Sequence, residues 1–175
     1  MKRLLKVFKE KKNMKQETEE KIQIKHILVF TLMNEQFGLD ISCVREVLKP
    51  LEIHHLPQVP DFIEGVINLR GKMFAIMDLR KKFRINIIEN TPKKRIILCK
   101  VNKFIIGLIV DSVMEVLSLS EEDIQPTPNA ISIQVENNYI TGIARINERV
   151  ITIFNLEEIL SKKEMDILEQ VKKKD

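Results

Sequence analysis

Residues 65–80 read GVINLRGKMFAIMDLR, and residues 142–156 read GIARINERVITIFNL. At a fixed offset Gly65 falls on Gly142, Leu69 on Ile146, Met73 on Val150, Phe74 on Ile151, Ile76 on Ile153 and Leu79 on Leu156. In each stretch two short aliphatic runs flank a polar turn, which is the pattern of a β-hairpin. An earlier block is echoed too. Residues 38–48, GLDISCVREVL, meet identical residues of 107–117, GLIVDSVMEVL, at Gly38, Leu39, Val44, Glu46, Val47 and Leu48. Of the 5 glycines, four pair across the two copies, and only Gly71 in the Asn68-Leu69-Arg70-Gly71 turn stands alone. One unit is duplicated, and one copy carries an extra, specialised tip.

Working outward, Ile27–Met33 and Gln36–Ile41 flank the polar Asn34-Glu35 and read as a hairpin. Val44–Leu48 continues in strand-like residues. Leu56–Pro60, LPQVP, is excluded from helix interiors and central strands, because two prolines remove donors and fix φ. Glu64–Asn68 and Met73–Met77 are expected as strands around Arg70-Gly71, and Asp78 as the cap of a short helix to Phe83. Thr91-Pro92-Lys93-Lys94 reads as a linker. The second copy follows as Arg95–Val101, Phe104–Val110, Val113–Leu117, a polar Ser118–Asn129 segment with Pro126 and Pro128, Ile140–Ile146 and Val150–Phe154. Asn155 is expected to cap a final helix to Gln170 that docks Leu156, Ile159, Leu160, Ile167 and Leu168.

Short strands with frequent turns point to small barrels rather than a βαβ sheet. The expected organisation is a tail at 1–22 and a body at 23–170. Within the body, subdomain one covers about 27–90, subdomain two about 91–155 and the C-terminal helix about 155–170. A unit of roughly 65 residues is marginal alone, so the two should share a core, with a groove at their seam.

Composition narrows the function classes. The chain has 175 residues, enough for one ordinary domain or two small ones. No apolar run approaches the ~20 residues that span a bilayer. Leu4, Leu5, Val7 and Phe8 are interrupted and followed by lysines, so no signal peptide is expected. Cys43 and Cys99 lack CxxC spacing and read as reduced core thiols of a cytoplasmic protein. The net charge of +4 is carried by the start of the chain. Residues 1–25 hold nine Lys or Arg against four Glu, and the remaining residues hold 20 basic against 21 acidic. A near-neutral body argues against a nucleic-acid-binding face. The tail, with Leu4, Leu5 and Phe8 near helical spacing, reads either as an amphipathic helix or as a solvated extension.

No catalytic constellation is found. His54 and His55 lie beside proline without the spacing of helical metal ligands, and His26 stands apart. Phosphate-binding loops, dinucleotide glycine patterns and nucleophile elbows are missing from the sequence. Asp40, Asp78 and Asp111 are isolated and read as turn or cap residues. No cofactor or metal is expected. Arg70 differs, because a tight turn between apolar strands aims its side chain outward. Its five donors suit a carboxylate or a set of carbonyls on a partner. The corresponding residue in the second copy is Asn147, so the fold does not require arginine there. In the repeated Glu-Val-Leu motif, alternation leaves some residues on an outer strand face, where aliphatics beside Glu46 suit protein binding.

These residues together resemble the CheW family of bacterial chemotaxis coupling proteins, over about Ile24 to Gln170. LPQVPDFIEGVINLRG (56–71) is the most specific part. ILVFTL with FGLDISCVREVL, and GLIVDSVMEVLSL with a polar loop and TGIARI, agree in order and spacing. The family commonly has proline where this chain has Ala75, and the resemblance says nothing of the tail. It implies a mainly β protein of two tandem SH3-like five-stranded barrels, packed together, with a C-terminal helix. It also implies a non-enzymatic adaptor between chemoreceptor tips and the regulatory domain of the histidine kinase CheA, at membrane-associated arrays. By motif match, Arg70, Asn68, Gly71, Val113 and Val116 would serve the receptor, and Val44, Glu46 and Val47 the kinase. Two alternatives stand beside it. One is a same-fold adaptor of another cluster, such as one for surface motility. The other is a small-barrel nucleic-acid binder, disfavoured by one tyrosine, no tryptophan and the neutral body.

Overall fold

Alternating apolar residues and tight turns produce eleven strands among the described residues of a computed structural model, 23–85, 94–127 and 139–173. The tail at 1–22, residues 91–93 of the expected linker, and Pro128 and Asn129 lie outside the described residues. The strands are β1 (Ile24–Leu32), β2 (Glu35–Asp40), β3 (Val44–Leu48), β4 (Ile63–Leu69), β5 (Lys72–Asp78), β6 (Arg95–Val101), β7 (Phe104–Val110), β8 (Ser112–Ser120), β9 (Ile124–Gln125), β10 (Ile140–Ile146) and β11 (Arg149–Phe154). Two helices accompany them, α1 (Leu79–Lys82) and α2 (Lys162–Lys173). The fold is mainly β and SH3-like, with a C-terminal helix.

The two copies do not each close their own sheet. One sheet runs β8-β1-β2-β11-β10-β9 and the other β3-β6-β7-β5-β4. The hairpin β1–β2 of the first copy therefore sits among strands of the second, and β6–β7 of the second sits among strands of the first. The exchange is reciprocal down to register. Parallel pairing sets Ile76 opposite Gly107 and Ile153 opposite Gly38, which are repeat-equivalent pairs. Subdomains at about 27–90 and about 91–155 thus do not coincide with the sheets, and residues 24–40 belong with the second group. The sheets also hold six and five strands rather than five each. The sixth, β9, is two residues long, and its counterpart in the other sheet is the single bridge His54–Val66.

Both copies use the same bulges. An extra residue in one strand shifts register and bends it. The bulge falls at Glu64 between the Ile63–Met77 and Gly65–Ile76 pairs. In the second copy it falls at Thr141, between Ile140–Phe154 and Gly142–Ile153. The strand then meets a crossing segment, Val66 against His54 and Ile143 against Gln125. Gly65 is required there. Its φ is 142°, and a Cβ would lie 2.1 Å from the His54 carbonyl oxygen.

Because strands are exchanged, the largest apolar layer lies between the sheets. Leu28, Phe30, Leu32 and Leu39 of one sheet meet Met77, Ile97, Cys99 and Leu108 of the other. Smaller clusters fill each barrel, around Ile27, Val29 and Ile151 in one and around Ile67, Ile76 and Ile96 in the other. Aromatics concentrate in the shared layer. Phe83, just after α1, stacks on Phe37 at 5.9 Å and Tyr139 at 5.1 Å, and meets Phe154 edge-on at 5.6 Å. The shared core expected from the size of each copy is present.

A buried ion pair crosses the same region. Arg80 of α1 bonds Asp111 between β7 and β8, and both side chains are almost fully enclosed. Asp111 also accepts from Met33 N at 2.5 Å, and its own amide donates to Thr31 O at 3.0 Å. Asp40 and Asp78 are caps, as expected, accepting from Ser42 N and Arg80 N at 2.8 Å each. Asp111 instead supplies a buried charge.

Asn155 caps a 3-10 turn, Leu156–Glu158, rather than the last helix. The α-helix begins at Lys162 because Ser161 and Glu164 form a reciprocal box: Ser161 N donates to Glu164 Oε2 at 2.7 Å, and Glu164 N to Ser161 Oγ at 3.3 Å. Leu156, Ile159, Leu160 and Leu168 are buried and Ile167 is half-buried. Lys82 Nζ reaches both oxygens of Glu164, at 2.7 and 2.9 Å, tying α2 to α1.

Two outcomes are expected. Arg80→Ala removes the guanidinium from the buried Asp111 carboxylate and should cost about 3–5 kcal/mol, read as a lowered midpoint in denaturant unfolding. Burial raises the Glu164 carboxyl, but the Lys82 ammonium and the Ser161 bonds outweigh it and hold the pKa below the usual glutamate value. A depressed folded-state pKa contributes stability above the unfolded-state value, lost as pH falls through the folded one. The melting-temperature gap between wild type and Glu164→Gln should therefore be open at neutral pH and close on acidification below the usual glutamate range.

Candidate partner-binding faces

Four hairpins place a non-glycine residue in the left-handed region at the first turn position: Met33 (φ 57°), Arg70 (54°), Asn102 (52°) and Asn147 (55°). Asparagine tolerates this conformation, whereas a long side chain has no local hydrogen bond to offset it. At the β4–β5 turn Gly71 follows with φ 79°, so both central residues have positive φ, as in a type I′ turn. Asn68 Oδ1 accepts from Gly71 N at 3.0 Å and fixes the turn from outside. The local chemistry would be satisfied by Asn-Gly. The chain has Arg-Gly, and the arginine side chain is 75% exposed.

Arg70 has one ion-pair partner among the described residues. Its Nη2 donates to Glu46 Oε1 at 3.1 Å and its Nη1 to Oε2 at 3.4 Å. Residues that the resemblance assigns to two different partners are therefore joined on one surface. An exposed pair of this kind is worth ~0–1 kcal/mol, so exchanging Glu46 for an incoming carboxylate costs little.

The Glu-Val-Leu strands explain where the valines go. In β3 the pairs Val44–Cys99, Glu46–Leu98, Val47–Ile97 and Leu48–Ile96 leave Arg45 as a bulge. In β8 the pairs Phe30–Val113, Val29–Glu115, Leu28–Val116 and Ile27–Leu117 leave Met114 as the equivalent bulge. Directly opposed residues share a sheet face. Val113 and Val116, three apart, therefore both share the face of Phe30 and Leu28, turned to the central layer. Val44 and Val47 likewise share the face of Cys99 and Ile97. Simple alternation would have split each pair. Val44 and Val113 are half-buried against the central core. Val47 (41%) and Val116 (50%) are exposed.

A second ion pair went unnoticed in the sequence. Glu115, the equivalent of Glu46, bonds Arg149 at 2.7 Å, and Arg149 Nε donates to Gln36 Oε1 at 3.0 Å. Arg149 is displaced two positions from the equivalent of Arg70, so alignment of the copies did not reveal it. Met73 and its equivalent Val150 are exposed as well. Each copy thus carries a similar surface set, exposed aliphatics with a Glu–Arg pair, differing in whether a turn residue or the first residue of a strand supplies the cation.

The histidines are scattered in bonding. His26 Nδ1 meets Ser118 Oγ at 3.0 Å, His55 Nδ1 meets Glu64 O at 2.7 Å, and His54 bridges Val66 through its backbone. Among the described residues no three His, Cys, Asp or Glu gather as a metal site, and no helix is long and apolar enough to cross a membrane.

Replacing Arg70 by asparagine removes the left-handed penalty and one weak exposed pair. Arg70→Asn should fold normally and gain up to about 1 kcal/mol in urea unfolding; a clear loss would show that Arg70 holds the turn together.

The CheW-like domain model matches residues 26–164. The chain is 36% identical to the chemotaxis protein CheW of Klebsiella aerogenes, covering 83% of this chain and 87% of that one. It is 32% identical to CheW of Helicobacter pylori, over 85% and 87%. The crystal structure of the scaffolding protein TtCheW from Thermoanaerobacter tengcongensis superimposes with a TM-score of 0.73 at 37% identity, over 81% of this chain and 96% of that one. The matched residues span the repeat, the Arg-Gly turn and both Glu-Val-Leu strands, and this chain belongs to the CheW-like family as a non-enzymatic scaffold of chemotaxis signalling.

Proposed function

We propose that this scaffold couples the cytoplasmic tips of chemoreceptors to the histidine kinase CheA within membrane-associated arrays. The observation that carries this reading is Arg70, a long cation held in the left-handed region at an exposed tip where Asn-Gly would satisfy the turn. Non-glycine residues kept in sparsely populated backbone regions cluster at functional sites. Arg70, with Asn68 and Gly71 shaping its turn, meets the receptor, and Val113 and Val116 flank the seam on that side. Val44, Glu46 and Val47 meet the kinase.

The duplication supports such a role physically. Two similar but unequal faces allow one face of the adaptor to pack on the opposite-type face of a related domain. Contacts of that kind are heterologous and close into rings where the rotation permits. Individually modest contacts then gain strength through effective concentration. The Glu46–Arg70 pair adds a feature the motifs did not suggest, since a receptor carboxylate that takes Arg70 releases Glu46 on the kinase side.

The test is CheA autophosphorylation in a reconstituted mixture with receptor membranes, with and without this protein. Wild type should stimulate the kinase only when all three are present. Arg70→Glu should bind receptor more than tenfold more weakly, a loss above ~1.4 kcal/mol, and abolish stimulation while keeping its melting temperature. Full stimulation by a folded Arg70→Glu protein would remove Arg70 from the interface, and absence of stimulation by wild type with bound CheA would remove the coupling role.

A further inference from the structure

The two cysteines, far apart in sequence, are neighbours in the fold. Cys43 closes the 3-10 turn that precedes β3, and the next residue, Val44, pairs with Cys99 of β6. Cys43 packs against the central apolar cluster that holds Cys99. Cys43 also donates from Sγ to Asp40 O at 2.8 Å. The environments of the two sulfurs are unequal. Cys99 is fully enclosed in the central apolar layer, whereas Cys43 is half-buried at its margin. Cys43 also lines an open cavity of about 350 Å³, beside Lys25, Lys100, Asp40, Ser42 and Glu157. The cavity gives a small polar oxidant a route to Cys43 but not to Cys99.

We propose that Cys43 and Cys99 form a peroxide-responsive dithiol–disulfide pair. The neighbouring Cys99 thiol holds the Cys43 thiol below its usual pKa, against burial and the Asp40 and Glu157 charges, while Cys43 and burial push Cys99 up. Cys43 is therefore the attacking sulfur. Its thiolate displaces hydroxide from hydrogen peroxide: an S–O bond forms, the O–O bond breaks, and the hydroxide leaves as water with the proton Cys43 gave up. Cys99 sulfur then attacks the Cys43 sulfenic acid. The S–S bond forms, the S–O bond breaks, and hydroxide takes the Cys99 proton to leave as a second water. Two thiols lose two electrons, and one peroxide gains them. Because Cys43 adjoins the register partner of Cys99 on the neighbouring strand, closure to the ~2.05 Å bond needs side-chain rotation rather than strand movement. The product staples the start of β3 to β6, the join between first-copy strands and the exchanged hairpin.

The experiment treats the folded full-length protein with a small excess of hydrogen peroxide, followed by thiol titration, intact mass and non-reducing peptide mapping. Both thiols should disappear together, the mass should fall by two hydrogens, a Cys43–Cys99 peptide should appear, and dithiothreitol should reverse all three. Cys99→Ser should instead stop at a dimedone-trappable sulfenic acid on Cys43. Cys43→Ala, at the less enclosed position, should leave Cys99 unreactive under the same treatment, which keeps the test open where Cys99→Ser fails to fold. Gain of oxygen by wild type with Cys99 still a free thiol, or a disulfide between two chains, would overturn the proposal.

Discussion

Neither copy of the repeat can complete a sheet without a hairpin from the other, and the rest of the structure depends on that exchange. Strand β1 pairs with β8 through contacts such as Ile24–Ser120 and Thr31–Ser112, while β5 pairs with β7 through Ile76–Gly107. All are distant in sequence, so loop-closure entropy must be met before the contacts return it. The return is the central layer, which forms only when both sheets are present together. The Arg80–Asp111 pair sits at this crossing and touches the β1–β2 turn through Met33, so charge, turn and sheets are satisfied in one arrangement. A half-molecule would expose its share of the central layer and leave Asp111 or Arg80 without the other, so stability is shared between the copies and does not reside in either.

The same exchange shapes the surface. Bulges at Arg45 and Met114 turn the valines of each Glu-Val-Leu strand toward the seam and leave the glutamates on the opposite face, where arginines find them. The repeat supplies two such faces, and they are unequal: Arg70 reaches Glu46 from a turn, whereas Arg149 reaches Glu115 from the first residue of a strand. A scaffold that joins different partners needs faces that are alike in design and different in detail.

Much of this was legible in the sequence. Paired glycines, repeated aliphatic spacing and turn residues located nearly every strand, and the unmatched Gly71 singled out the turn that carries Arg70. The caps at Asp40 and Asp78 followed from local chemistry, because a side chain and the amide two residues on are close in any sequence-local turn. The exchange was not legible, since the parallel pairs β2–β11 and β5–β7 have no hairpin to announce them. The Arg70–Glu46 pair was hidden for the same reason, because it joins residues that no turn connects. The bulges were hidden because one extra residue leaves the pattern of apolar residues intact while reversing the faces beyond it. The start of the last helix is spelled in the sequence, since Ser161-Lys162-Lys163-Glu164 is a capping box, but Asn155 offers a competing cap six residues earlier.

Exchange also limits how such a scaffold can pass on a signal. Two barrels joined by a flexible linker could hinge, and a partner on one would leave the other unaffected. Here β1–β2 and β6–β7 cross between the copies, and a close-packed layer with five interlocking aromatics fills the seam. Packed interiors have low compressibility and transmit strain rather than absorb it. Bending one barrel against the other would open that layer and break the bonds of Asp111 to Met33 and Thr31, so the low-energy response to a displaced partner is movement of the whole body. In a coupling role the molecule then acts as a strut: what changes at the far face is position and orientation, and the exposed side-chain pairs at its tips are the parts free to rearrange.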